Sequence, residues 1–296
     1  MAAKAVHTRT LISQTQLNRP AGRALYWTVL AVTVLGFTLV FLGPLYWLVT
    51  GGLKSTAEVI QNPPTLFPKQ VHADTYTEAW SRLSMGRLLF NTLYYAFGAL
   101  AFQLVFDVAA AYSLSKLRPV LGNVILGMML ATLMIPATVL IVPQYLTVLD
   151  LPVLHLNLIN TPWAIWLPTV ANAFNIFLLK RFFDSIPQDL MAAAAIDGAS
   201  PLRTLWSIVL PMSRPILGVV SIFAVVNVWK DFLWPMLVEP DPAKQTLNIG
   251  IRSLSTGVPQ NLVIAALAIA SAPTIVFFLI FQRNIMSGLT TGSLKG

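Results

Sequence analysis

Asp107, Lys230 and Asp231 stand inside otherwise apolar stretches of this chain. A charge at the centre of a membrane helix costs about 2.5 to 3.5 kcal/mol on insertion scales, so each must be bonded, paired or turned toward water. Asp107, in Phe102-Gln-Leu-Val-Phe-Asp107, is placed either on a polar pathway or gate, or to hold a neighbouring helix by a hydrogen bond. Lys230 and Asp231 point about 100° apart on a helix and cannot pair face to face, so one faces a cavity while the other reaches outward. Pro136 and Pro143 leave carbonyls unpaired at membrane depth, which fits a packing kink and a water-lined path equally. Gln144, Asn227, Trp229 and Trp234 complete the side chains that such a path could use.

Most catalytic chemistry lacks its residues. No glycine starts a Gly-x-x-x-x-Gly-Lys-Ser/Thr loop, so ATP, if it drives this protein, binds on another chain. There is no Gly-x-Ser-x-Gly elbow and no cysteine. His7, His72 and His155 are scattered without a second ligand at helical spacing. The expectation is a non-enzyme with no metal or cofactor of its own.

The elements that must position these residues are membrane helices. Of 296 residues, 56% are hydrophobic and 10% charged, against roughly 25% charged in globular proteins. The neutral gaps Arg23 to Lys54, Arg118 to Asp150, Asp150 to Lys180 and Arg252 to Arg283 each exceed the ~20 residues that cross a bilayer. Two more spans, Leu88 to Leu114 and Ile216 to Leu237, carry the buried charges. The fold class is therefore an all-α integral membrane protein with six transmembrane helices. With both termini cytoplasmic, twelve of the 19 basic residues lie on the inner side, as the positive-inside rule requires. That distribution accounts for the net charge of +8 without nucleic acid.

Residues 1–23 are a polar, basic lead-in without the apolar core of a secretory signal, and 24–296 form the transmembrane domain. The first helix, about Leu25 to Val49, contains Gly43 and Pro44, a kink signal. Between Gly51 and Arg87 the chain lies outside, and Tyr76, Ala79 and Trp80 at helical spacing predict an interfacial helix.

The segment from about 180 to 215 is more than a connector. Ser185 as cap, Pro187 in the first turn and Ala192 to Ala195 predict one short helix that Gly198 stops. Ser200 and Pro201 start a second, which Pro211 and Pro215 end. A DNA-reading helix-turn-helix would carry basic residues on its second helix, and Arg203 stands there alone. A surface amphipathic connector shares the apolar spacing.

Ala194-Ala195-Ile196-Asp197-Gly198-Ala199, followed by Ile208-Val209-Leu210-Pro211 and Pro215, resembles the EAA loop of membrane subunits of binding-protein-dependent ATP-binding-cassette importers. The resemblance implies a coupling helix that seats in a cleft of a cytoplasmic ATPase, with Ala192, Ala193, Ala194, Ile196, Asp197, Gly198, Ala199, Pro201, Leu210 and Pro211 at that contact. Ala192 stands where the motif's glutamate belongs, so the salt contact made there in relatives is not expected. Asn227-Val-Trp-Lys-Asp-Phe-Leu-Trp-Pro235 resembles a helix-5 stretch of the carbohydrate-uptake branch, with Lys230 in place of asparagine. On that likeness Trp229 and Trp234 stack on sugar rings, although membrane-interface anchoring is the commoner use of tryptophan. The tail 283–296 resembles that of maltose-type permeases, which implies an ATPase contact through Gly288, Thr290, Gly292 and Lys295.

Together these imply a permease subunit that imports a sugar, oligosaccharide, polyol or sugar phosphate across the inner (cytoplasmic) membrane. Its expected partners are the lipid bilayer, a second homologous permease, two ATPase subunits holding ATP and Mg, and an extracytoplasmic substrate-binding protein. The rival is a secondary transporter or channel that uses Asp107 as its proton or ion site.

Overall fold

In lipid every backbone N–H and C=O must find a partner within protein, and helices are the open-chain solution. The computed structural model describes residues 19–291; among these only one isolated bridge, Leu151 to Leu156, departs from helices and loops. The lead-in before residue 19 lies outside the described residues.

Helix α1 is Pro20–Gly51, opened by Pro20 at its first position and unbroken through Pro44. Its apolar length is uncovered by the rest of the chain, and only its end docks, where Gly51 packs on Ile264. Helix α2, Asp74–Arg82, is the short helix that the Tyr76, Ala79, Trp80 spacing predicts. Its location differs from an interfacial one on one face: Ala79 is buried with Leu83, Leu88, Leu262 and Ala265, and the Tyr76 hydroxyl donates to Val49 O at 2.8 Å. Trp80 stays exposed.

Helix α3, Met85–Tyr112, spans about 42 Å and is the mast of the fold. Its N-terminal end enters the cluster around Leu88 and Leu262, its middle offers Tyr95, Ala96 and Ala99, and its C-terminal end offers Val108, Ala111 and Tyr112 to a third cluster. It continues as a π turn, Ser113–Leu117, and stops at Arg118 in the left-handed conformation.

Three expected continuous spans are broken instead. Arg118 to Asp150 becomes α4, Gly122–Thr132, and α5, Ala137–Leu149, bent by 105°. Pro136 caps α5 and disfavours helix at the residue before it, so the break falls there. Asp150 to Lys180 becomes α6, Trp163–Thr169, and α7, Ala173–Asp184, where Asn172 accepts from Asn175 N and starts a new helix. After α7 come α8, Gln188–Ile196, and α9, Pro201–Thr204. Ile216 to Leu237 becomes α10, Arg214–Lys230, and α11, Leu233–Val238. Helix α12, Leu247–Leu254, and α13, Gln260–Thr291, follow. Three stretches, Pro20–Gly51, Met85–Leu117 and Gln260–Gln282, are each long and apolar enough to cross a membrane unbroken.

Close approach of α3 and α6 depends on Gly98. A Cβ there would lie 2.3 Å from the Trp166 ring, whose Nε1 donates to Tyr95 O at 3.1 Å. Gly98→Val is expected to destabilise the fold by about 1–3 kcal/mol through overpacking, read as a lower melting temperature in detergent. Gly127→Ala, where nothing lies within 4 Å, should leave melting unchanged. Equal melting of both variants would contradict this packing.

Candidate functional site

Two regions concentrate the unusual features of the chain. The first is the loop from Ser185 to Pro215. Ser185 does not cap α8; it closes α7, its Oγ donating to Phe182 O at 2.6 Å, and Pro187 holds the α8 N-cap position. The end of α8 is a Schellman closure: Gly198 N donates to Ala195 O at 3.1 Å and Ala199 N to Ala194 O at 2.9 Å. Gly198 has φ +71 with nothing near its missing side chain, so backbone conformation alone selects glycine. Ser200 then caps α9, its Oγ accepting from Arg203 N at 3.3 Å. The second helix passes through a π turn, Leu205–Val209, and carries Pro211 inside its last turn. It breaks two residues later at Ser213, with an 84° bend into α10.

This loop is tied to the helices on one side and bare on the other. Ile186, Leu205 and Val209 are buried with Tyr112, Leu179 and Phe183, and Ala194 is buried as well. The Tyr112 hydroxyl donates to Pro201 O at 3.0 Å and Lys116 Nζ to Ile186 O at 2.9 Å. On the outer side Ile196, Leu202 and Trp206 are 86%, 69% and 69% exposed. Ala192, Ala193, Asp197, Pro201 and Pro211 share that exposure, while Ala199 and Leu210 are half-buried. In the tail, Gly288 and Thr290 fall within the α13 backbone, and Gly292 and Lys295 lie outside the described residues.

The second region is the break between α6 and α7. Pro168 has no N–H to give Ala164 O, and the Trp234 indole N–H fills that place at 2.9 Å. Gln103 Nε2 donates to Thr169 O at 2.9 Å, and Asp107 Oδ1 accepts from Asn172 N at 2.9 Å. Gln103 and Asp107 are four residues apart on one face of α3, so a single helix closes the break at two points. Asp107 is fully buried, with Oδ2 unpartnered and the unpartnered Asn175 amide on the neighbouring helix.

The other pathway candidates do not gather around Asp107. Trp234 is core, its indole spent on Ala164, so it offers no ring face to a sugar. Asp231 ends α10, and its Oδ1 accepts from Trp234 N at 3.3 Å; Lys230 is exposed, so the two serve different neighbours. Trp229 is half-buried, its carbonyl held by Asn248 Nδ2 at 2.9 Å, and Asn227 is exposed. Gln144 lines a cavity of about 310 Å³ with Thr147, Leu158 and Pro168, while Pro136 is exposed at the α4–α5 break.

Sequence reasoning missed Gln103, Asn172 and Glu239. An amide and a carboxylate four residues apart in an apolar helix were the available signal for the first. Glu239, just past α11, is fully buried with both oxygens unpartnered, and burial pushes its carboxyl up to about 7 against the pull of the Lys244 ammonium. Among the described residues no cluster of His, Asp and Glu could hold a metal.

Residues 90–290 match the family described as binding-protein-dependent transport system inner membrane component. The sulfoquinovosyl glycerol transport system permease protein SmoH of Agrobacterium fabrum is 33% identical over 257 residues, covering 86% of this chain and 88% of that one. The sn-glycerol-3-phosphate transport system permease protein UgpE of Rhizobium meliloti is 32% identical over 257 residues, covering 83% and 89%. Among solved structures, a chain of a bacterial ABC transporter involved in the import of the acidic polysaccharide alginate aligns with a TM-score of 0.78 at 23% identity, over 93% of this chain and 99% of that one; that likeness is one of fold.

The geometry separates two roles for Asp107. Asp107→Asn keeps an oxygen for Asn172 N and should transport close to wild type. Asp107→Leu leaves that N–H unsatisfied, at about 1–3 kcal/mol, and should melt lower. Loss of uptake in the Asn variant with unchanged melting would instead make the carboxylate a proton or ion site.

Proposed function

We propose that this chain, which belongs to the family of binding-protein-dependent transport system inner membrane components, is a membrane-spanning permease subunit of an ATP-driven importer of carbohydrates or their phosphate or glycerol conjugates. The substrate class follows the printed names of relatives that handle sulfoquinovosyl glycerol and sn-glycerol-3-phosphate. Membership of a binding-protein-dependent system implies a substrate-binding protein outside and an ATPase inside. Our finer reading has a second homologous permease completing the pore and two ATPase subunits holding ATP and Mg. In this reading the chain crosses six times, three of the crossings built from broken helices, with both termini and the 187–209 helices in the cytoplasm; the basic residues of the loops assigned to that side support it.

One observation carries the coupling assignment: a loop rigid on its inner face presents Ile196, Leu202 and Trp206 to solvent. Such an apolar patch on a well-capped element marks a surface made for another protein. ATPase closure would move α8 and α9 as a body and, through Leu205, Val209 and Tyr112, tilt α3 and α10 between inward and outward openings. The ATPase shifts that equilibrium only by binding the two states unequally. Engagement of Asp107 Oδ1 at the α6–α7 break supports a structural role for this carboxylate over the ion-coupled alternative.

Gly198 gives the sharpest test. Gly198→Val forces a β-branched residue into a left-handed conformation and should abolish coupling, so that reconstituted complexes lose uptake while ATP hydrolysis persists. Gly198→Asn, which tolerates that conformation, should retain most uptake. Wild-type uptake by the valine variant would remove the coupling assignment.

A further inference from the structure

The loop from Ser185 to Ser213 meets three helices, in two different ways. Ile186, Leu205 and Val209 lie in one apolar cluster with Tyr112 of α3, Phe183 of α7 and Val219 of α10. Apolar contact resists separation but has no direction, so surfaces joined by it alone can slide. Hydrogen bonds fix register, because they weaken steeply with angle. Among the described residues two hydrogen bonds join this loop to an element not next to it in the chain, and both donors belong to α3 and its π turn. The Tyr112 hydroxyl donates to Pro201 O at 3.0 Å, at the first residue of α9. Lys116 Nζ donates to Ile186 O at 2.9 Å, just before the α8 cap.

The Lys116 donor is itself held in place. Arg118 N donates to Ser113 O at 2.9 Å and closes the π turn, and the buried Ser115 donates Oγ to Asp184 Oδ1 at 2.7 Å. That bond fixes the turn against the end of α7 and brings Lys116 to Ile186, two residues past Asp184. One helix end therefore holds the entries of both loop helices, through side chains four residues apart. Toward α10 the backbone bends by 84° at Ser213, whose N–H is shared between Val209 O at 3.0 Å and Leu210 O at 3.1 Å. The loop is clamped to α3 and jointed to α10. We propose that Tyr112 and Lys116 are positioning residues of ATPase coupling, which make α3 follow the loop as one body while α10 pivots at Ser213. Their role rests on the 187–209 helices being the ATPase contact, and it identifies α3 as the helix that receives the motion.

The test is pulsed EPR on the purified complex, with and without adenylyl imidodiphosphate. This chain has no cysteine, so pairs of spin labels can be set at Gln188→Cys with Val105→Cys of α3, and at Gln188→Cys with Asn227→Cys of α10. With both clamp residues intact, nucleotide should leave the loop-to-α3 distance unchanged and shift the loop-to-α10 distance by about 2 Å or more, the scale of helix shifts in switching proteins. Tyr112→Phe keeps the ring in the cluster and Lys116→Met keeps the apolar stem, so each removes only the donor. In the double variant the loop-to-α3 distance should become nucleotide-dependent, and Lys116→Met alone should show the same change to a smaller extent. Lys116→Arg, which retains a donor for Ile186 O, should behave as the intact clamp. A loop-to-α3 distance that shifts with nucleotide in the intact clamp, or stays fixed in the double variant, would overturn the proposal. A complex that contains the ATPase but shows no shift in either distance would overturn it too. Absence of an ATPase from the wild-type complex would overturn it by removing the contact it rests on, and is scored separately, before nucleotide is added.

Discussion

Pro168 opens a hole in the backbone of a helix packed among apolar neighbours, and three side chains of the structure are arranged to close it. Its missing N–H leaves Ala164 O bare, and the chain break that follows frees Thr169 O and Asn172 N. Three side chains from two other helices fill these places: Trp234 of α11, and Gln103 and Asp107 of α3. Each unfilled group would cost about 1–3 kcal/mol, so the broken span is held only while α3 and α11 stand where they do. A constraint on backbone satisfaction thereby becomes a constraint on tertiary structure.

The same mast connects that break to the loop below. Along α3, the face that holds the α6–α7 break leads through Val108 and Ala111 to Tyr112, whose hydroxyl grips Pro201 O at the start of α9. The loop helices are fixed on one side by apolar burial and by hydrogen bonds to backbone carbonyls, and bare on the other, the face proposed to meet a partner. An element with one rigid face and one open apolar face transmits a push from outside into the helices it is fastened to. Broken helices are suited to receive it, because their segments meet at junctions held by side chains and not by continuous backbone bonds.

Local chemistry was the legible part of the sequence. Gly198 at a left-handed corner, Ser200 as a cap and the burial of Asp107 all follow from residue type and neighbours within a few positions, whereas Pro136 reads as a kink and the structure has a 105° break there. Roles that depend on a distant partner were not legible. Trp234 sits in a stretch that reads as a sugar platform or an interface anchor, and nothing nearby in sequence says that its indole answers a proline 66 positions earlier. Likewise six apolar runs read as six continuous helices, because hydropathy counts length and cannot register that Asn172 and Asp231 restart a helix in mid-run. Ser185 was misread for the same reason: a serine between two helices serves equally to end one or begin the next, and here it ends the first.

The central claim is that the bare face of the 187–209 helices belongs to an ATPase in a heteromeric complex. Its most direct test is purification through a tag on this chain in mild detergent, with quantitative mass spectrometry of what accompanies it. The account predicts an ATP-binding-cassette ATPase and a second permease, the former at two copies for each copy of this chain. Recovery of the chain alone or as a homodimer, with no ATPase at stoichiometric level, would contradict it.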